Sequence, residues 1–156
     1  MIHFTFDPVQ EIDCDVLVCP VNCVGVMGKG LAKVMKIEFP YCVEDYMASC
    51  KNNELEPGMI LLTLPQPTLI KTSRQQPIVI HAATKNHWRN LSKIEWVQSC
   101  LHKIDDYMLT SKKQTLAIPK LGCGFGGLKW SEVNPFFDEL LSHNEYDVIV
   151  FDKNPD

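Results

Sequence analysis

Apolar residues in this chain fall into short, nearly unbroken runs. Between the runs they recur every three or four positions. The runs Ile2–Phe6, Val16–Cys19, Met59–Leu64, Ile78–Ala83, Thr115–Ile118 and Asp147–Phe151 predict six strands. Most are continuous rather than alternating, the pattern of strands covered on both faces. The intervening stretches predict four helices. Leu31, Val34 and Met35 share a face of the first, which Pro40 bounds. Val43, Tyr46, Met47 and Cys50 follow the i, i+3, i+4, i+7 spacing of the second. Ile94, Val97, Leu101, Ile104 and Met108 stripe the third, with Ser92 and Glu95 as its capping box. The fourth begins at Ser131 and carries Phe136, Phe137, Leu140 and Leu141. Pro135 in its first turns predicts a delayed start.

Strands interleaved with helices in this order imply an α/β domain with a largely parallel sheet. Strand one leads directly to strand two, and strand three to strand four. Each passage can close an antiparallel pair, so a mixed sheet is expected. In open sheets of this kind ligands bind beyond the carboxyl ends of the strands, which directs attention to the loops that follow them.

Composition narrows the class. A chain of 156 residues, 46% hydrophobic, is expected to form one domain over 1–156. No apolar run approaches the roughly 18 residues that span a bilayer, so no membrane association is expected. The opening residues lack a basic and then apolar leader, so no secretory signal is expected. Seven cysteines without a CxxC pair read as reduced thiols in a cytoplasmic protein, not as a zinc or redox motif. Net charge is −4, unlike a general nucleic-acid coater. Yet between Pro57 and Ile94 there is no Asp or Glu, while Lys71, Arg74, Lys85, Arg89 and Lys93 all fall there. That stretch is either a solvated face or a basic rim for a polyanion.

Three loops after strands carry the chemistry. The first, Pro20 to Gly30, places Gly25, Gly28 and Gly30 before a helix, with Asn22 at the strand mouth. Glycine lets backbone N–H groups close on an anion, and the helix adds its positive end. Gly30 stands where a P-loop needs Ser or Thr, so this is not a Walker loop. The second, Pro119 to Trp130, matches GxGxxG through Gly122, Gly124 and Gly127, and Asp152 ends the next strand. A Rossmann helix starts within that motif, whereas here the next cap signal is Ser131. Either reading places a diphosphate on this loop. Cys123 reads as a nucleophile or, since no His has a recognisable pairing with it, as an inert loop thiol, the reading favoured here. The third, His81 to Arg89, holds Lys85 at a strand end. It is either a surface lysine or an amine that neutralises phosphate or attacks carbon. His81 reads as a core histidine, and His87 and Trp88 as a pocket rim or simple packing.

Together the motifs V-N-C-V-G-V-M-G-K-G-L-A, T-K-x-H-W-R and P-x-L-G-C-G-x-G-G-L-x-W resemble a macrodomain. They are most similar to the DarG type, the DNA ADP-ribosyl glycohydrolase antitoxins, over nearly the whole chain. The terminal ADP-ribose protein glycohydrolases are similar in the lysine and the G-C-G loop. The resemblance implies a three-layer α/β/α fold that binds ADP-ribose. Asp7 and Val9 would meet the adenine; Pro8 has no N–H to offer it. Asn22, Gly25, Met27, Gly28, Lys29 and Gly30 would surround the distal ribose. Gly122, Cys123, Gly124, Phe125, Gly126 and Gly127 would wrap the diphosphate. Lys85 matches the catalytic lysine, with Asn22 as its companion, and Arg89 and Lys93 would contact DNA. The implied reaction releases ADP-ribose from thymidine in single-stranded DNA, with no metal or cofactor. A DarT-type toxin is the implied partner, and the protein would act as a monomer. Protein-directed relatives carry an aspartate where this chain has Gly126, which favours DNA as substrate. The alternatives are a non-catalytic ADP-ribose reader, a hydrolase of ADP-ribosylated protein or of ADP-ribose-1''-phosphate, and a dinucleotide oxidoreductase.

Overall fold

A computed structural model describes residues 1–65 and 76–152. The strands are β1 (Ile2–Thr5), β2 (Val16–Val21), β3 (Ile60–Thr63), β4 (Ile78–Ala83), β5 (Thr115–Pro119) and β6 (Asp147–Phe151). The α-helices are α1 (Gly30–Glu38), α2 (Val43–Lys51), α3 (Ile94–Ser111) and α4 (Trp130–Leu141). All six predicted strands form, in the predicted alternation with helices. The sheet order is β1-β6-β5-β2-β4-β3.

The sheet is mixed, but only one of the two expected antiparallel pairs exists. β3 runs antiparallel to β4, with Leu61 opposite His81. β1 does not meet β2; it lies parallel to β6 at the far edge, with Ile2 opposite Val148. The ten residues between β1 and β2 carry the chain over the sheet end and include the short 3-10 turn Val9–Glu11. A hairpin was therefore not required, and β1 covers the edge of β6 instead.

Strand alternation builds the three layers. Val16 and Val18 of β2 face α3 and α4, packing with Val97, Leu101, Val133 and Phe137. Leu17 and Cys19 face the other way, onto Met35 of α1 and Tyr46 of α2. β2 and β4 are thus buried on both faces, which explains their unbroken apolar runs. No helix among the described residues is long and apolar enough to cross a membrane.

Two helix starts differ from expectation. Ser92 does not cap α3: Lys93 holds the cap position without a side-chain hydrogen bond. The Ser92 N–H instead donates to the Gly126 carbonyl at 2.9 Å, which draws Ser92 under the second glycine loop. Pro135 does not delay α4, which starts at Trp130 and runs through it. Proline there removes one N–H, while Val133, Phe137 and Leu141 hold a continuous buried stripe.

Candidate active site

The carboxyl ends of β2, β4, β5 and β6 open into one cavity of about 810 Å³, reached by all three loops. The loops are tied to one another below it. Thr84 and Lys85 donate their N–H groups to the Val21 carbonyl at 3.1 and 3.4 Å, and Cys23 donates to the Asn86 carbonyl at 3.1 Å.

Asn22 is 7% exposed and organises the first loop from within. Its Nδ2 donates to the Val26 carbonyl at 2.9 Å. Its Oδ1 accepts from the N–H groups of Val24 (3.1 Å) and Val26 (3.3 Å). Tyr46 of α2 donates its hydroxyl to both Oδ1 and the Asn22 carbonyl, each at 2.8 Å. Burial pushes the Tyr46 phenol up, so it stays a donor. Below it, buried His81 stacks at 5.3 Å between ring centroids. Burial lowers the His81 pKa to about 4, so it is neutral at neutral pH. Its ring nitrogens have no hydrogen-bond partner among the described residues. It is a core histidine, as expected, though not a hydrogen-bonded one. Asn22 thus scaffolds the loop and leaves the second Nδ2 hydrogen for a ligand. Tyr46→Phe should cost about 1–2 kcal/mol by leaving two buried acceptors short of a donor. The thermal midpoint should fall by about 3–6 °C, as differential scanning calorimetry would record. An unchanged midpoint would mean that the loop does not depend on α2.

The second loop presents backbone. Gly122 and Gly127 have φ of +77° and +78°, where side chains are rare. The Leu128 N–H donates to the Gly122 carbonyl at 2.9 Å and closes the turn. The N–H groups of Gly124, Phe125 and Gly126 have no acceptor among the described residues, and these three residues line the cavity. Facing them is the start of α1, whose cap residue Lys29 makes no side-chain capping bond. Unpaired amides and a helix N-terminus around one space form an anion site. A Cβ at Gly126 would collide with the Gly122 carbonyl oxygen and Ser92 Oγ, so no side chain fits there.

Lys85 reaches into this space half-buried. Its Nζ donates to the Trp88 carbonyl at 3.5 Å and lies 6.0 Å from the Phe125 ring centroid. Desolvation lowers its pKa. Cys123 also lines the cavity, but desolvation raises its thiol pKa to about 11, so it is not a thiolate at neutral pH.

The profile of the Macro domain family matches residues 18–137. The chain belongs to the Macro domain family. Over 145 residues this macro domain is 35% identical to a DNA ADP-ribosyl transferase–DNA ADP-ribosyl glycohydrolase fusion protein of Thermosipho africanus, covering 86% of this chain and 37% of that protein. Over 141 residues it is 33% identical to a DNA ADP-ribosyl glycohydrolase of Thermus aquaticus, covering 90% of this chain and 38% of that protein. The chain therefore spans little more than a third of the length of these curated relatives. Among solved structures, the macrodomain of Thermus aquaticus DarG is similar with a TM-score of 0.86 and 31% identity, covering 98% of this chain and 99% of that one. Thermosipho africanus DarTG in complex with ADP-ribose gives 0.87 and 33%, covering 97% of this chain and 41% of that one.

In the macro domain the cavity gathers Asn22, Gly28, Lys29, Gly30, Lys85, Arg89, Gly122, Cys123, Gly124, Phe125 and Gly126. It does not gather every expected residue. Met27 is 3% exposed and packs in the core against α1 and α2. Val9 is likewise a core residue. Gly25 and Gly127 shape the loops from behind at positive φ. Exposed Asp7 lines a separate shallow depression beside β1, with Glu11 and Asp13. Exposed Lys93 lies outside the lining, its amine 5.1 Å from the Trp96 ring centroid. Lys71 and Arg74 of the basic stretch lie outside the described residues.

Sequence reasoning missed Tyr46, Lys120 and Phe151. Tyr46 reads as one more apolar helix position, and only packing brings it beneath Asn22. Lys120 and Phe151 line the cavity at the ends of β5 and β6. There Lys120 pairs with Asp152 at 3.0 Å, and its amine lies 5.2 Å from the Trp130 ring centroid. The position of Lys120 just after β5 and of Phe151 at the end of β6 is the sequence signal for both.

Proposed function

We propose that this macro domain is an ADP-ribosyl glycohydrolase that removes ADP-ribose from thymidine in single-stranded DNA. The observation that carries the reading is the placement of Lys85. Its partly desolvated amine lies 6.0 Å from the Phe125 ring centroid, in the cavity that Gly124, Gly126 and Asn22 also line. With a diphosphate on the Gly124–Gly126 amides, the distal ribose would lie toward Lys85 and Asn22. The curated relatives are named for this activity on DNA, and one similar structure holds ADP-ribose. In the reaction the bond from the anomeric carbon to the base nitrogen breaks. Water supplies the hydroxyl to that carbon and a proton to the nitrogen. The Lys85 amine either attacks the carbon transiently or, protonated, stabilises the departing base. The lack of room at Gly126 suits the DNA-directed type, since protein-directed relatives place an aspartate there. A DarT-type DNA ADP-ribosyl transferase would be the partner that creates the substrate. The domain would work as a cytoplasmic monomer.

The test is single-turnover release of ADP-ribose from thymidine-modified single-stranded DNA. No release alongside tight ADP-ribose binding would make the domain a reader. Arg89, exposed at the cavity, and Lys93, exposed four residues further on, would hold phosphates flanking the modified base. Arg89→Glu with Lys93→Glu should slow release from DNA by about tenfold at low salt. It should also flatten the salt dependence by about one unit of slope per charge removed. Rates matching wild type across a salt series would make the basic segment a solvated face only.

A further inference from the structure

Trp88 is a large apolar ring left in water at the cavity mouth: it is 46% exposed, and nearby Leu91 is 68% exposed. The ring is nonetheless held in place. The Arg89 guanidinium lies 4.6 Å from its centroid, and the His87 ring is tilted against it at 5.2 Å. The Arg89 N–H donates to His87 Nδ1 at 3.1 Å, which fixes the tripeptide as a unit. The Trp88 main-chain carbonyl accepts from Lys85 Nζ, so the ring and the proposed catalytic amine share one turn. Lys85 and Arg89 line the same cavity beside it, and the sequence from Pro57 to Ile94 holds no acidic residue.

A fixed aromatic ring flanked by cations has the chemistry of a single-stranded nucleic-acid contact. Bases stack on the ring while cations take the phosphates. The location adds direction. A base attached to ADP-ribose in the cavity must leave its own strand through this mouth, and its neighbour then arrives at Trp88. We propose that the Trp88 indole, backed by Arg89, is a stacking platform for the nucleobase next to the ADP-ribosylated thymidine, and that it makes the site select single-stranded over duplex DNA. This rests on the DNA glycohydrolase reading of the cavity. A duplex keeps its bases stacked on one another, so it has no free face to offer the ring.

The experiment compares wild type, Trp88→Phe and Trp88→Leu on two substrates, an ADP-ribosylated single strand and ADP-ribosyl-thymidine nucleoside. Trp88→Leu should lower kcat/KM on the strand by about tenfold, mainly through KM, and leave the nucleoside at the wild-type rate. Trp88→Phe should recover most of the loss on the strand. In parallel, fluorescence anisotropy with unmodified oligothymidylate should show the same weakening in Trp88→Leu, and duplex DNA should compete poorly. Equal losses on strand and nucleoside, no loss on either, or effective competition by duplex would overturn the platform. If wild type releases nothing from either substrate but binds oligothymidylate in a Trp88-dependent way, the hydrolase reading fails and the platform stands. If that binding ignores Trp88, the platform fails whatever the hydrolysis result.

Discussion

Lys85→Ala should slow release of ADP-ribose from modified DNA by about a thousandfold, in the range of losing a principal electrostatic or nucleophilic group. ADP-ribose affinity should change by no more than a few-fold. On the proposed mechanism the two effects separate because loop amides and the Asn22 scaffold would hold the ground-state ligand, while Lys85 would act where charge develops at the anomeric carbon. Lys85→Arg should not rescue, because guanidinium stays protonated and is bulkier than an amine. The pH dependence follows from the direction of the shift. Burial lowers the amine's pKa, so the neutral fraction grows at a lower pH than for a surface lysine. With the neutral amine as nucleophile, release should climb with pH and level off above the shifted pKa. Bound diphosphate favours the charged form and moves that rise to higher pH. Release that instead falls as pH rises through the shifted pKa would assign the lysine the role of a cation. Single-turnover kinetics paired with calorimetry on each variant give both quantities. Release by Lys85→Ala at the wild-type rate would remove the lysine from the mechanism and leave Asn22 and the loop amides.

Two neighbouring glycines should fail in opposite ways. A Cβ at Gly124 meets nothing within 4 Å, so the fold accepts a side chain there. That open space is the cavity itself. Gly124→Val should therefore keep the wild-type thermal midpoint and lose ADP-ribose binding, together with the stabilisation the ligand confers. Gly126 is the reverse. Its Cβ would strike the Gly122 carbonyl and Ser92 Oγ, so the loop must open and strain the 2.9 Å bond between Ser92 and Gly126. Gly126→Ala should destabilise by about 1–3 kcal/mol, the usual cost of overpacking, and weaken ADP-ribose as well. Calorimetric unfolding with and without ligand reads both. A Gly126→Ala protein with an unchanged midpoint and full binding would mean that the loop is not folded over Ser92.

The order of elements was legible because each strand's burial is written locally. Ile78–Ala83 and Asp147–Phe151 appear in the fold with the bounds their apolar runs predict. The three glycine-bearing loops were legible for a similar reason: turn chemistry and strand ends are short-range features. Pairing was not. Nothing within Ile2–Phe6 says whether its free edge will meet β2 or the last strand of the chain. That choice depends on which partner edge remains open after β5 and β6 have paired.

The same division runs through the site. The sequence by itself determined an α/β domain with a mixed sheet, a lysine after β4 and two glycine-rich loops at strand ends, because hydrophobic period and glycine placement act over a few residues. Only the tertiary structure decided which side chains share the cavity. It placed Met27 and Val9 in the core and Asp7 beside β1. It turned Ser92 from a helix cap into a support for the Gly126 loop, because a carbonyl from a distant loop claimed its N–H. It brought the Tyr46 hydroxyl beneath Asn22 from another helix. Contacts between residues far apart in the chain follow from how layers pack, and no local pattern encodes them.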